Sequence, residues 1–299
     1  MFDVERFALD DGPGIRTVVF FKGCPLKCTW CCNPESQSRS TEVAYSEKKC
    51  IRCGKCAIIC PKHAIRFSGS KGYQINREQC DACGLCAEIC PSKAKEIIGR
   101  YVTVREIMDD VKKDAIFYRR TGGGVTLSGG EPLIQSAFAK ELLEACKSIG
   151  LSTAIETCGY ASWANFEMVK AHTDLFYYDL KLMGDELHKK CTGVSNKLVL
   201  ENLKKLSTVG TPIIVRVPLI PGINDSLENF RAIGSYSASL GANVREIQIL
   251  PYHALGIPKY EKIGRICEVK SLGLSEERSL EQHMKIIEGY GLKAVIGGR

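Results

Sequence analysis

The chain has 299 residues, 44% hydrophobic and 25% charged, with a formal net charge of +7. That length suits one large core or a core with a small added module, and the composition excludes disordered and fibrous classes. The opening "MFDVERFALDDGPG" lacks the apolar stretch of a signal peptide, and no apolar run approaches the ~20 residues of a membrane span, so the expected setting is cytoplasmic with no membrane partner.

Sixteen cysteines in such a setting point to metal rather than disulfides. In chain order, a strand-like "TVVFF" (17–21) leads into "CPLKCTWC" (24–31), where Cys24, Cys28 and Cys31 are spaced C-x3-C-x2-C. A tetrahedral zinc or a complete iron–sulfur cube takes four protein ligands. Three leave one corner open, and an open iron can chelate the amino nitrogen and carboxylate of an amino-acid-like ligand.

Next come "CIRCGKCAIICPKHAI" (50–65) and "CDACGLCAEICPSKAK" (80–95), identical at nine of sixteen positions with a period of 30. Each reads C-x2-C-x2-C-x3-C-P, the two-cluster ferredoxin run in which each unit's fourth cysteine serves the other cluster. Cys50, Cys53, Cys56 and Cys90 are thus expected around one [4Fe–4S] cube, and Cys80, Cys83, Cys86 and Cys60 around the other. C-x2-C pairs also build zinc knuckles, but eight cysteines in this run with Pro61 and Pro91 in place favour clusters. Between Ser46 and Arg100 eleven Lys or Arg stand against five Asp or Glu. Two cubes with their thiolates bring about −4, so charge compensation accounts for this basic window better than a nucleic-acid partner does. Cys146, Cys158, Cys191 and Cys267 lie apart and read as small buried residues.

Beyond the insert the rhythm changes. Strand-like runs recur at "VTLSG" (125–129), "STAIET" (152–157), "LFYYDL" (175–180), "PIIVRVPL" (212–219) and "REIQILPY" (245–252). Helical stretches separate them. One is "VREIMDDVKKDAIFYRR" (104–120), with Ile107, Val111 and Ile116 on one face. Another is "QSAFAKELLEACKSIG" (135–150), with Phe138, Leu142 and Ala145 inward and Gly150 as C-terminal cap. Six strand–helix units suit a closed barrel or an open, partial (β/α)6 barrel of parallel strands over 1–45 and 97–299, interrupted by an α+β ferredoxin-like domain over 46–96.

Sites in such folds form at the carboxyl ends of strands. After the first strand come the three cysteines, and after the second "SGGEP" with Gly129, Gly130 and Glu131. Glu156 and Thr157 end the third, and Asp179, Leu180 and Lys181 the fourth. Arg216 lies in the fifth, and His253 follows the sixth. The glycines let backbone approach a ligand, Glu131 can accept from an ammonium, and Lys181 with a forked Arg216 can hold a carboxylate. A bland reading exists for each: a tight turn, a surface charge, an Asp179–Lys181 pair, a structural ion pair at Arg216, a loop histidine. Together they suit a ligand with an amino-acid end.

C-x3-C-x-aromatic-C, with Trp30 as the aromatic, resembles the radical S-adenosylmethionine (SAM) signature, and "SGGEP" the motif of that superfamily that holds the methionyl ammonium. With "DGPGIRTVVFFKGCPLKCTWCCNPES" (11–36), the double ferredoxin insert, "DLK" and "RVPLIPGIND", the chain resembles a glycyl radical enzyme activating enzyme, such as the activases of pyruvate formate-lyase and glycerol dehydratase. The resemblance implies three [4Fe–4S] clusters, one with an open iron, and reductive cleavage of SAM to a 5′-deoxyadenosyl radical. That radical takes a Cα hydrogen from a glycine of a partner enzyme. It implies a cognate glycyl radical enzyme as protein substrate and a flavodoxin or ferredoxin as electron donor. It places Asp11 at the active-site mouth, and Trp30, Cys32, Gly129, Gly130, Glu131, Asp179, Leu180, Lys181, Arg216 and His253 along the SAM site. Cys32, next to the third ligand, stays outside the cluster. Glu156, Thr157 and Tyr177 match positions around a monovalent cation in the pyruvate formate-lyase activase, where the side chain at the Tyr177 position differs. A radical enzyme acting directly on RNA or a small molecule, and a plain ferredoxin-type carrier, are the competing readings. The carrier leaves the loaded strand ends unexplained.

Overall fold

The computed structural model describes residues 1–69, 72–269 and 277–297, apart from the side chains of residues 245, 277 and 278. β1 (Asp3–Ala8) runs antiparallel to β2 (Arg16–Phe21). The insert follows as β3 (Glu42–Tyr45), α1 (Lys55–Ile59), β4 (Ile65–Phe67), β5 (Tyr73–Ile75), α2 (Leu85–Glu88) and β6 (Lys95–Ile98). The chain returns through α3 (Val104–Lys112) and α4 (Ala115–Thr121) to β7 (Gly124–Gly129). It continues as α5 (Ser136–Ser148), β8 (Ser152–Thr157), α6 (Trp163–Val169), β9 (Leu175–Asp179), α7 (Asp185–Thr192), α8 (Lys197–Leu206) and β10 (Ile213–Leu219). It closes with α9 (Leu227–Ser239), β11 (Val244–Pro251), α10 (Ile257–Lys262), α11 (Glu277–Glu288) and β12 (Lys293–Ile296).

The central sheet has eight strands in the order β1-β2-β7-β8-β9-β10-β11-β12, with every neighbour from β2 onward parallel. Sequential order means each crossover steps the same way, the winding of a barrel rather than of a doubly wound sheet. The order ends at β1 and β12, so the barrel is open. The six expected strands are β2 and β7 to β11. β1 and β12 extend them unannounced, because β1 is a largely exposed edge without an apolar run and β12 has four residues.

Val19, Phe21, Val125, Leu127, Ile155, Phe176, Tyr178, Val215, Val217, Ile247 and Ile249 project into one core with the helices. With period two, the alternate residues Thr126, Ser128, Glu156, Tyr177, Asp179, Arg216 and Gln248 take the opposite face. The sheet is therefore apolar toward the helices and polar on the side where a ligand sits in a barrel.

The stretch 104–120 forms two helices rather than one. Thr103 and Glu106 make a capping box for α3, and buried Asp114, ion-paired with Arg6 of β1, sits at the break. Ile107 and Val111 are core residues, but Ile116 is half exposed on α4, so the single face breaks with the helix. Gly150, at φ 76°, ends α5 as its position predicts.

Within the insert the repeat is a repeat of backbone. Gly54 and Gly84 take φ 78° and 92°, Arg52 and Ala82 57° and 55°, His63 and Lys93 48° and 50°. β3 pairs antiparallel with β6 from Glu42↔Ile98 to Tyr45↔Lys95, so the chain enters and leaves side by side. Glu42 fastens this ladder to the barrel: Lys22 Nζ lies 3.0 Å from one of its oxygens and Arg265 Nη2 2.6 Å from the other. Among the described residues, no helix is long and apolar enough to cross a membrane.

Candidate active site

The cysteine loop leaves β2 at Phe21. Backbone bonds clamp it from two sides: Gly23 N to Ser36 O (2.6 Å) and Cys24 N to Gln37 O (3.1 Å) behind, Lys27 N to Thr192 O (2.8 Å) and Thr29 N to Cys191 O (3.0 Å) at the end of α7. Buried Lys22 donates to Glu35 O (2.8 Å) and Ser38 O (3.1 Å), pinning the segment after the cysteines. Trp30 is buried against Leu182, Ile220, Tyr252 and Tyr260, with Cys28 and Cys31 at the edge of this apolar cluster. Burial pushes the Cys28 thiol up to about 12 and the Cys31 thiol upward as well, so without a cation to stabilise thiolate these groups stay protonated. The cation at hand is Lys181, which acts on Cys28 and lies 2.8 Å from Asp179. Burial lowers the Lys181 ammonium, but Asp179 and Cys28 outweigh it and the net shift is upward.

Along the polar face the groups are already joined to one another. The Arg216 guanidinium pairs with Glu156, donates from Nε to Gln248 Oε1 (3.1 Å) and from Nη2 to Asp10 O (2.7 Å), and stacks 3.7 Å over the Tyr177 ring. Ser128 Oγ donates to the other Glu156 oxygen. Burial first, then the Glu156 charge, raises the Asp11 carboxyl from the ordinary 3.8 to about 7 despite Arg216. The folded chain therefore binds this proton more tightly than the unfolded chain, and stability falls as pH rises from about 4 to 7. Asp11→Asn keeps an amide donor toward Glu156 and removes that slope. Thermal melts from pH 5 to 8 are expected to converge at low pH and to favour the variant at high pH, by up to about 1.4 kcal/mol per pH unit. Parallel pH profiles for the two proteins would show that Asp11 does not share a proton here.

Several residues expected at the ligand already have partners within the chain. Glu131 is fully buried, and its carboxylate accepts from Leu133 N (3.0 Å), Cys158 N (2.7 Å) and Thr157 Oγ1 (3.0 Å). It caps the turn after β7, with three protein donors around it. Gly129 and Gly130 admit backbone, but the backbone is their own protein's: an added Cβ would meet Phe21 N at 2.4 Å and Gly23 O at 2.1 Å. Arg216 has its fork engaged by Glu156, Gln248 and Asp10, so it does not present a free fork to a carboxylate. Leu180 is a core residue whose N–H donates to Arg216 O (2.9 Å). Thr157 serves Glu131, and the positive charge meeting Glu156 is the guanidinium, so these two have protein partners where a monovalent cation was expected. Trp30 packs under the cysteine loop. Cys32 Sγ turns to exposed His253, 3.7 Å from Nε2.

The polar face also holds residues that no motif marks: Arg16, fully buried with Nε 2.6 Å from Thr126 Oγ1, and Ser128 and Gln248. Cys158, one of the four isolated cysteines, is buried, and its interaction with Cys24 lowers the Cys24 thiol and raises its own. Period-two alternation is the signal that could have found Ser128 and Gln248. For Cys158 only the fold supplies it.

In the insert, the eight cysteines form two crossed sets. Cys60, Cys80, Cys83 and Cys86 line one cavity together with Val43, Ile65 and Ile75. The thiols acting on Cys56 are Cys50, Cys90 and Cys53. Backbone amides donate to Cys50 Sγ (3.4 Å), Cys60 Sγ (3.3 Å) and Cys90 Sγ (3.2 Å), the amide–sulfur bonds that iron–sulfur sites use. Among the described residues, no group of three or more His, Cys, Asp or Glu is arranged for a single metal ion. Four thiols around an apolar cavity, with amides aimed at sulfur, fit a cube.

The chain matches the radical SAM superfamily model over residues 77–232 and a 4Fe-4S dicluster domain over 44–97. It is 44% identical over 299 residues to the trans-4-hydroxy-L-proline dehydratase activating enzyme of Clostridioides difficile, covering 100% of this chain and 99% of that one. It is 44% identical over 282 residues to the isethionate sulfite-lyase activating enzyme of Oleidesulfovibrio alaskensis, covering 92% and 90%. A crystal structure of a domain of a pyruvate-formate lyase-activating enzyme from Bacteroides vulgatus superposes with a TM-score of 0.51 at 31% identity, over 59% of this chain and 99% of that one.

Proposed function

This chain belongs to the radical SAM superfamily and, within it, to the activating enzymes of glycyl radical enzymes; from that premise we propose how its own residues divide the work. Its reaction is reductive cleavage of SAM and transfer of the resulting radical character to a glycine of a partner enzyme.

Cys24, Cys28 and Cys31 hold the reacting cluster, and the carrying observation is their gathering on one clamped loop beside Lys181, at the polar face of the sheet. When bound, that cluster supplies the electron that breaks the C5′–S bond of SAM and leaves one iron for its amino-acid end. Lys181, held by Asp179, stands where it can meet a carboxylate next to Cys28. Trp30, Tyr252 and Tyr260 wall the loop with apolar surface and exclude water from it. The Asp11–Glu156–Arg216 assembly keeps the opposite wall polar and ordered, with Asp11 at the entrance through which a glycine-bearing loop would come. The two cysteine sets of the insert would hold the clusters that relay an electron from a flavodoxin or ferredoxin, and the basic excess across 46–100 would offset their charge. A reducing cytoplasm is the setting that keeps sixteen cysteines available.

The test is to mix the reduced protein, SAM and candidate glycyl radical enzymes under anaerobic conditions and record electron paramagnetic resonance. A glycyl radical signal that needs all three components is the expected result. SAM cleavage at full rate with RNA or a small molecule as hydrogen donor, and no radical on any candidate enzyme, would overturn the reading.

A further inference from the structure

Lys95 opens β6, opposite Tyr45 in the ladder. It is 3% exposed, and its Nζ has no hydrogen-bond partner. The ammonium lies 4.0 Å from the centre of the Tyr45 ring. The ionisable groups whose charges act on it are the thiols of Cys56, Cys86, Cys50 and Cys90. An unpaired ammonium in such a place is costly, and the side it faces is built of cluster ligands. Loaded with cubes, those ligands carry the negative charge that the ammonium otherwise lacks.

The internal repeat sharpens the point. With a period of 30, Lys95 corresponds to Ile65. The backbones match there, Ala64 N donating to Cys60 Sγ at 3.3 Å and Ala94 N to Cys90 Sγ at 3.2 Å. Ile65 is buried and apolar, whereas Lys95 is buried and cationic. One half of the repeat thus carries an interior charge that the other lacks. The thiols of both sets act on Lys95, Cys56 first and Cys86 next, but its backbone neighbour Ala94 donates to Cys90 Sγ and its ring partner Tyr45 packs in the apolar cluster that holds Cys50 and Cys56, which ties it to the set that Cys90 completes.

We propose that Lys95 is the interior counter-charge of the cluster held by Cys50, Cys53, Cys56 and Cys90, raising its reduction potential above that of its twin and so deciding where an electron entering the insert comes to rest. A nearby cation favours the reduced, more negative form of a cluster, and potentials of such clusters follow net charge and hydrogen bonding. The proposal rests on the reading that the insert holds two cubes.

The experiment compares the full chain with Lys95→Met, Lys95→Ile and Lys95→Arg, counting iron and following a redox titration by electron paramagnetic resonance. In the two neutral variants one insert potential is expected to fall by a factor of ten or more in the reduction equilibrium, about 59 mV for one electron. The gap between the two insert clusters narrows, and Lys95→Arg restores it. Failure of both neutral variants, but not of Lys95→Arg, to load the insert would also support a counter-charge. Full iron with unchanged potentials in the neutral variants would overturn the proposal. Iron for only one cube in the unmodified protein would instead overturn the two-cluster reading on which it rests.

Discussion

Replacing Cys28 by alanine is expected to abolish reductive cleavage of SAM while both cysteine sets of the insert still load with iron. Two thiolates do not hold a cube that needs three, and the insert draws its ligands from its own eight cysteines. Cys28 is the informative position among the three. Cys24 has a second thiol, that of buried Cys158, acting on it, whereas Cys28 has Lys181 as the nearest charge. Cys32, though adjacent to Cys31, is turned toward His253, so Cys32→Ala is the matched control and keeps its activity. The measurement is 5′-deoxyadenosine formed under anaerobic reduction, together with iron content. A fall to less than about one hundredth of the parent rate is expected, since loss of an essential group typically costs several orders of magnitude. Appreciable product from Cys28→Ala, or none from Cys32→Ala, would sink the assignment of the triad.

The second large effect is expected at Arg216. Its side chain is 9% exposed and meets Glu156, Gln248, the Asp10 carbonyl and the Tyr177 ring at once. Arg216→Met leaves the part-buried Glu156 carboxylate with Ser128 but without its cation, which costs up to about 3 kcal/mol of folding stability. Arg216→Lys returns the charge but not the fork or the flat stacking surface. Gln248 and Asp10 then lose a donor, at about 1–3 kcal/mol. Denaturant unfolding gives the stabilities, and a SAM titration of the folded fraction gives the binding. Both variants should bind SAM more weakly, because the wall that Glu156 and Tyr177 form loses its order. Lysine that keeps parental stability and affinity would mean that Arg216 supplies charge alone.

What could be read from the sequence was whatever lies within a few residues. Metal ligands in C-x3-C-x2-C and C-x2-C-x2-C-x3-C-P arrive at fixed spacings because one turn of chain must present several sulfurs to one cluster. The apolar runs from "TVVFF" to "REIQILPY" mark parallel strands because their buried face demands it. Even the crossing of Cys60 and Cys90 follows from the repeat. What only the tertiary structure decided is which polar groups meet. Arg216 and Glu156 are sixty residues apart, and they join because β8, β9 and β10 are adjacent, with Tyr177 between as a platform. That adjacency gave the Arg216 fork its protein partners and closed donors from Leu133, Thr157 and Cys158 around Glu131. It likewise placed Cys158 against Cys24. Lys95, one of eleven cations in a basic window, became a lone ammonium beside two sets of thiols only when β6 paired with β3. Charge and residue type are local properties; burial and partnership depend on the order of strands, which sequence spacing does not carry.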